Sequence, residues 1–171
     1  MIPAPFTYKR AWSLDEALDL AAQDGEDAKF LAGGHSLLPL MKLRLAVPEV
    51  LIDIGRLREL SYVRDDDTQI LVGALTSHDE LARSSLLASE LPLLAHAASQ
   101  VGDPQVRHRG TIGGSLVHAD PVADLPAVVL ALDATLVARV PSGSREIAAG
   151  DFFQSLFETA LQPGEIGRAH V

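Results

Sequence analysis

Cysteine is absent from this 171-residue sequence, and its absence removes disulfides, thiolate nucleophiles, Cys-ligated zinc and Cys-ligated iron–sulfur clusters from anything the chain does by itself. Basic residues are scarce as well: 14 Lys and Arg face 23 Asp and Glu, a formal net charge of −9. No broad basic footprint is left for a nucleic-acid backbone or an anionic lipid surface. Long apolar runs are missing too. The longest, residues 125–132, is far short of the roughly 20 residues a spanning helix needs, and Met1-Ile-Pro-Ala-Pro-Phe-Thr-Tyr-Lys-Arg10 lacks the apolar stretch of a secretory signal. The default expectation is a soluble cytoplasmic protein. Tryptophan occurs once, as Trp12, and reads most simply as a core or interface anchor.

What is present suffices for a core. Hydrophobic residues make up 47% of the chain, and a chain of this length buries about two-thirds of the surface its unfolded form exposes. One or two small globular domains are expected, without disulfide or metal staples.

Ser13-Leu-Asp-Glu16 is a capping box ahead of an apolar-periodic run, Leu14, Ala17, Leu18 and Ala21, which Gly25 stops. This predicts a helix over 14–23. Residues 28–32 read as a short buried strand that runs into Gly33-Gly34-His35-Ser36, and the next helix covers 37–44 with Pro39 in its first turn. A second strand, 50–54, ends at Gly55. Helix, strand, glycine loop, helix, strand is the grammar of a parallel βαβ unit. From residue 58 the texture changes. Residues 60–63 and 69–74, joined by the acidic turn Asp65-Asp66-Asp67, predict an antiparallel hairpin. Ser77-His-Asp-Glu80 is a second capping box, opening a helix to Arg83, and Leu91 to Gln100, with Pro92 in its first turn, makes another. Residues 102–110 read as a polar, turn-rich stretch, 126–132 as a helix, and 134–139 and 145–148 as strands joined by a Pro-Ser-Gly-Ser turn. The fold class is therefore α+β, with one subdomain over 1–57 and a second over 58–166.

Two Gly-Gly segments carry the chemistry: Ala32-Gly33-Gly34-His35-Ser36 and Thr111-Ile112-Gly113-Gly114-Ser115, each followed by leucine. Paired glycines let the backbone take left-handed angles and approach a ligand with no Cβ in the way, so that several N–H groups converge on one anion. The bland alternative is that each is a tight turn. Neither matches G-x-G-x-x-G or G-x-x-x-x-G-K-[ST], so the standard dinucleotide and P-loop readings fail. The segment His118-Ala-Asp120-Pro-Val-Ala-Asp124 admits three readings: a hard-metal or zinc site, an Asp-Pro turn with Asp124 capping the next helix, or a carboxylate for ligand hydroxyls. Sequence alone does not choose among them. His35 is a candidate base, a covalent attachment point, or a loop residue whose backbone matters. Arg107 and Arg109, just before the second glycine pair, either offset ligand charge or pair with carboxylates such as Asp103.

Taken together, Ala32-Gly-Gly-His-Ser-Leu-Leu-Pro39, Gln105-Val-Arg-His-Arg-Gly-Thr-Ile-Gly-Gly-Ser115 and His118-Ala-Asp-Pro-Val-Ala-Asp124-Leu-Pro126 resemble the FAD-binding medium subunit of molybdenum hydroxylases. Carbon monoxide dehydrogenase and xanthine dehydrogenase are its best-known members, and the resemblance covers residues 1–166. It implies a two-subdomain FAD-binding fold of the vanillyl-alcohol-oxidase and p-cresol-methylhydroxylase type. By the same resemblance, Ala32, Gly33, Gly34, His35, Ser36 and Leu37, with Thr111, Ile112, Gly113, Gly114 and Ser115, bind the FAD diphosphate through backbone amides and hydroxyls. Val101 lies against the cofactor and Asp124 contacts it, while His118 and Asp120 shape a loop and bind no metal. The implied partners are a large subunit with the molybdenum cofactor and a small subunit with two iron–sulfur clusters, assembled as a heterohexamer. Electrons pass from the clusters to FAD and on to an external acceptor, and a chain without cysteine suits that division of labour.

Two departures stand out. His108 occupies a position where many members have asparagine. After Gln162-Pro-Gly-Glu-Ile166 the family continues with apolar residues and a further domain, whereas Gly167-Arg-Ala-His-Val171 reads as a non-family tail. The expectation is a truncated flavoprotein, inactive alone, whose Gly167 replaces an apolar residue that touches the flavin. Competing expectations are a self-contained FAD-dependent oxidase carrying its flavin on His35, a scaffold that binds no cofactor, and a metal-dependent hydrolase built on His118, Asp120 and Asp124.

Overall fold

A computed structural model describes residues 2–170, with the backbone alone for 167–170. It begins with a strand that no apolar periodicity announces, β1 (Thr7–Arg10). Pairing with residues far along the chain holds it: the Tyr8 hydroxyl donates to Asp53 at 2.5 Å, and Lys9 Nζ reaches both oxygens of Asp24 at 2.8 Å. Helix α1 (Leu14–Asp24) follows, where the Ser13 hydroxyl accepts from Glu16 N at 3.1 Å. The Glu16 carboxylate accepts from Trp12 N rather than from the cap residue itself. Strand β2 (Ala28–Leu31), helix α2 (Leu37–Lys42) and strand β3 (Val50–Asp53) complete a three-stranded sheet of order β1-β3-β2, parallel throughout. Trp12 is 71% exposed with the Arg10 guanidinium 4.0 Å over its ring. It is no core anchor, because α1 turns its apolar face, Ala17, Leu18 and Ala21, to the sheet and the cap residues before it stay outside.

The second half opens with the expected hairpin, β4 (Val63–Asp65) and β5 (Ile70–Val72). Helices α3 (His78–Arg83), α4 (Ser85–Glu90), α5 (Pro92–Gln100), α6 (Pro104–Arg109), α7 (Ile112–His118) and α8 (Asp124–Ala131) follow in close succession. Three of them depart from expectation for stated reasons. In α6 the Asp103 side chain accepts from Val106 N at 2.9 Å and Pro104 takes the first helical position, a start signal hidden between Gly102 and Gly110. In α7 the segment expected to be a loop is a helical turn, capped by Thr111. At α8 Asp124 does not cap; the helix enters at Ala123 without a side-chain cap because Asp120, accepting from Val122 N at 3.0 Å, has already made the turn.

Strands β6 (Thr135–Val140) and β7 (Gly143–Ala148), the short helix α9 (Ala149–Phe152), strands β8 (Phe153–Ser155) and β9 (Glu158–Thr159), and β10 (Ile166–His170) end the chain. The second sheet has the order β4-β5-β10-β6-β7, antiparallel at every pairing. The backbone of the tail that sequence sets apart thus lies in the middle strand of this sheet, since ladder hydrogen bonds ask little of side chains. Val171 lies outside the described residues.

Two apolar clusters organise the molecule. The larger packs α3, α5, α7 and α8 on the second sheet through Leu81, Leu94, Ile112, Leu125, Val129, Leu136 and Phe152. The smaller centres on Leu18, Ile52 and Ile54 and also takes in Leu60, Leu75 and Ile166. Burying each such side chain is worth about 1.5–3 kcal/mol, so the second half supplies part of the first core and fixes the two units against each other. The fold is α+β. No helix among the described residues is long and apolar enough to cross a membrane.

Candidate functional site

A cleft of about 950 Å³ runs between the two units. That is near the upper end of the range for small-molecule sites, about 300–1,000 Å³. Its floor comes from β2 and the loop that leaves it, and its walls from α7 and residues 159–165.

The loop after β2 is a set of free donors. Among the described residues the N–H groups of Gly33, Gly34, His35, Ser36 and Leu37 have no acceptor, while neighbouring N–H groups do: Leu38 donates to Gly34 O at 3.0 Å and Leu40 to Ser36 O at 3.3 Å. Ser36 adds a hydroxyl with no capping bond. Two glycines make this possible. Gly34 sits at φ +78°, in the left-handed region. At Gly33 a Cβ would lie 1.9 Å from the Arg109 carbonyl oxygen, so only a bare Cα lets this loop meet the end of α6. Four of these five residues are half-buried, a setting in which N–H groups rarely stay unpaired, and successive free donors lining a cleft suit an anion.

The second glycine pair works differently. Ile112 N donates to Thr76 O (3.0 Å), Gly113 N to Ala74 O (2.9 Å), Gly114 N to Thr111 Oγ1 (3.2 Å) and Ser115 N to Thr111 O (3.0 Å). Of the amides expected over 111–115 to meet a ligand, those of 112–115 are engaged within the protein by the docking of α7 on residues 74–76, while the Thr111 amide has no acceptor among the described residues. Gly113 is needed for contact, since a Cβ there would stand 2.7 Å from Ala74 O. Thr111, Gly114 and Ser115 still line the cleft, as do Val101 and every candidate from Ala32 to Leu37. Ile112, wholly buried in the larger core, does not line it, nor do Gly113 and the exposed Asp124.

Other side chains settle into structural work. Arg107 donates from Nη1 to Val101 O (3.1 Å) and Gly102 O (2.9 Å), fixing the backbone at Val101 rather than pairing with Asp103. His118 lines the cleft and tilts its ring against Phe157 at 5.2 Å. Among the described residues no three His, Asp or Glu side chains come together to hold a metal.

Two features escape sequence reasoning. Residues 160–165 are clamped across the cleft wall: Arg145 Nε and Nη2 donate to the two Glu165 oxygens at 2.9 and 2.8 Å, Arg145 Nη2 also donates to Ala160 O, and Gln162 N donates to Glu165 at 2.8 Å. The Arg145 guanidinium holds the Glu165 carboxyl below its ordinary range. The partners lie 20 residues apart, and no local pattern announces them. The other is His78, buried on the wall, whose pKa burial pushes down to about 4, with His35 nearby adding to the shift. Its only sequence signal is its place directly after the Ser77 cap.

Comparison with known proteins agrees with this geometry. A family model described as FAD binding domain in molybdopterin dehydrogenase matches residues 4–168. The chain is similar to the carbon monoxide dehydrogenase medium chain of Hydrogenophaga pseudoflava, 47% identical over 166 residues, which is 97% of this chain and 58% of that one. It is similar also to the 6-hydroxypseudooxynicotine dehydrogenase complex subunit alpha of Paenarthrobacter nicotinovorans, at 45% identity over 97% of this chain and 56% of the other. A solved structure of carbon monoxide dehydrogenase from Hydrogenophaga pseudoflava, lacking the Mo-pyranopterin moiety of its cofactor, superposes with a TM-score of 0.97 at 46% identity. That likeness covers 100% of this chain and 60% of the other. The chain therefore spans well under two-thirds of the length of each of these relatives.

Proposed function

This chain belongs to the family of FAD-binding domains in molybdopterin dehydrogenases, and from that premise we propose that it is the flavin-holding part of an electron-transfer subunit that works within a complex. Its cofactor is FAD, and its relatives are subunits of oxidoreductases. The proposed partners are a large subunit carrying the molybdenum cofactor and a small subunit carrying two iron–sulfur clusters, in a cytoplasmic heterohexamer. When bound, FAD would supply the redox centre between those clusters and an external acceptor.

The observation that carries this reading is the row of amides at 33–37 without acceptors among the described residues, at the edge of a cleft of dinucleotide size. These amides and the Ser36 hydroxyl bind the diphosphate; charge-assisted hydrogen bonds of this kind contribute about 1.5–3 kcal/mol each. The second glycine segment contributes shape: Gly114 and Ser115 present a wall, and the Thr111 hydroxyl stays with Gly114 N. Val101, held by Arg107, closes the side. Residues 1–57 and 58–166 then act as two halves of one clamp, with the ligand between them.

The test is a visible absorption spectrum of the purified chain before and after adding FAD, with dialysis and a thermal-shift control. A flavin band that survives dialysis, together with a raised melting temperature, is expected, because a ligand selective for the folded state stabilises it by about 2.7 kcal/mol at a hundred times Kd. No retained band and no shift would overturn the reading for this chain.

A further inference from the structure

His78 is 4% exposed, yet it lines the cleft. Its backbone is fixed on one side by the Ser77 capping box, in which Ser77 N donates to Glu80 at 2.7 Å, and on the other by its own N–H, which donates to Gly110 O at 3.0 Å. Its ring fills the space over Gly110, where a Cβ would stand 2.8 Å from both Cδ2 and Nε2. The imidazole is thus wedged between the start of α3 and the approach to the second glycine segment, close enough to His35 of the first loop to feel its charge.

The two ring nitrogens are in different positions. Nδ1 is fully enclosed and has no hydrogen-bond partner among the described residues. Enclosing an unpaired N–H strands a donor outright, whereas an unpaired lone pair is the lesser penalty. The enclosed nitrogen therefore carries the lone pair, and the proton sits on Nε2. Burial keeps the ring uncharged at neutral pH, and a neutral imidazole has one N–H to give.

We propose that His78 is a ligand-contacting residue of the cleft, a neutral imidazole protonated on Nε2 that donates its one hydrogen bond to an acceptor oxygen of the bound dinucleotide. The proposal rests on the FAD reading above. A neutral donor suits this place: the five loop amides already meet the diphosphate charge, and a single directional bond from the ring over Gly110, beside the first loop, fixes where the dinucleotide lies.

The experiment compares FAD affinity, by equilibrium dialysis and flavin fluorescence, for the wild-type chain, His78→Phe and His78→Gln. Phenylalanine keeps a ring over Gly110 without the N–H; glutamine restores a donor at the reach of Nε2. His78→Phe is expected to raise the FAD Kd about five- to tenfold with little change in the melting temperature of the ligand-free form, and His78→Gln to recover most of the loss. In wild-type protein with ¹⁵N-labelled histidine, His78 is expected to give one protonated and one unprotonated nitrogen at neutral pH, with the Nε2 signal moving when FAD is added. This arm decides the matter even if the phenylalanine variant fails to fold. An Nδ1-protonated ring, an Nε2 signal indifferent to FAD, or equal affinity in His78→Phe would each overturn the proposal while leaving FAD binding intact. A wild-type chain that takes up no FAD would bring down the functional reading, and this one with it.

Discussion

In the first glycine segment five successive N–H groups have no acceptor among the described residues, whereas in the second four successive N–H groups are engaged within the protein. Both segments need glycine, and for both the reason is close approach: Gly33 meets the Arg109 carbonyl, and Gly113 meets Ala74. What differs is the direction of the donors. The first loop leaves β2 and does not pair again until Leu38, so its amides stay free at residues that line the cleft. The second docks at once on residues 74–76 and becomes the first turn of α7. Similar composition thus leaves free donors in one segment and a packed wall in the other, and the difference lies in what stands next to the backbone.

Substitutions at the two glycines sharpen the contrast most. In Gly33→Ala the new methyl would sit 1.9 Å from a backbone oxygen, so the two units must move apart. A loss of about 3 kcal/mol in stability is expected, with FAD retention lost along with it. Gly113→Ala meets Ala74 O at 2.7 Å and its Cβ at 2.8 Å, and about 2 kcal/mol is expected. Here the folded fraction should keep nearly unchanged affinity for FAD. Urea unfolding and dialysis of each variant measure the two effects separately. Equal damage to affinity at the two sites would erase the distinction between cradle and wall.

A third region of the cleft is held by charge. Glu165 has its side chain 3% exposed, and its partner Arg145 is 42% exposed. Glu165→Gln is expected to lower the melting temperature by about 2–4 °C by loosening residues 160–165. The pH dependence follows from the lowered pKa of the folded carboxyl. Because the folded state holds the proton less tightly than the unfolded chain, the stabilisation is complete above the unfolded value and fades as pH falls through the folded one. Melting curves of wild type and variant should therefore converge below about pH 4. A constant gap at all pH values would mean that the glutamine acts through packing instead.

Local signals were legible in the sequence and non-local ones were not. The capping residues Ser13 and Ser77 announced α1 and α3 because a cap and its helix lie within four residues. Strand β1 stayed hidden because Thr7–Arg10 has no apolar alternation, and its support comes from Asp53 and Asp24, far along the chain. The segment 111–115 reads as a loop in the sequence because Ile-Gly-Gly-Ser is poor in helix formers; Thr76 and Ala74 carbonyls override that propensity. At the site, the first loop could be read because Gly34, at φ +78°, answers a backbone need within the loop itself. His78 could not, since its burial depends on Gly110, and Glu165 could not, since its partner is on β7.

The smallest expected effects make the finest comparison, because two hydroxyls of similar reach stand at the two segments. Thr111 Oγ1 accepts from Gly114 N at 3.2 Å and is nearly buried, so Thr111→Val removes a helix cap and should cost about 1 kcal/mol of stability. Ser36 makes no such bond. Its oxygen stands beside the unpaired amides, and Ser36→Ala should change stability by less than about 0.5 kcal/mol while raising the FAD Kd about threefold. If the two segments are truly wall and cradle, the effects cross over: threonine loss registers in unfolding without FAD, serine loss only in its presence. Thermal melts of both variants with and without FAD read this directly, and a stability loss at Ser36 equal to that at Thr111 would make the serine one more structural cap.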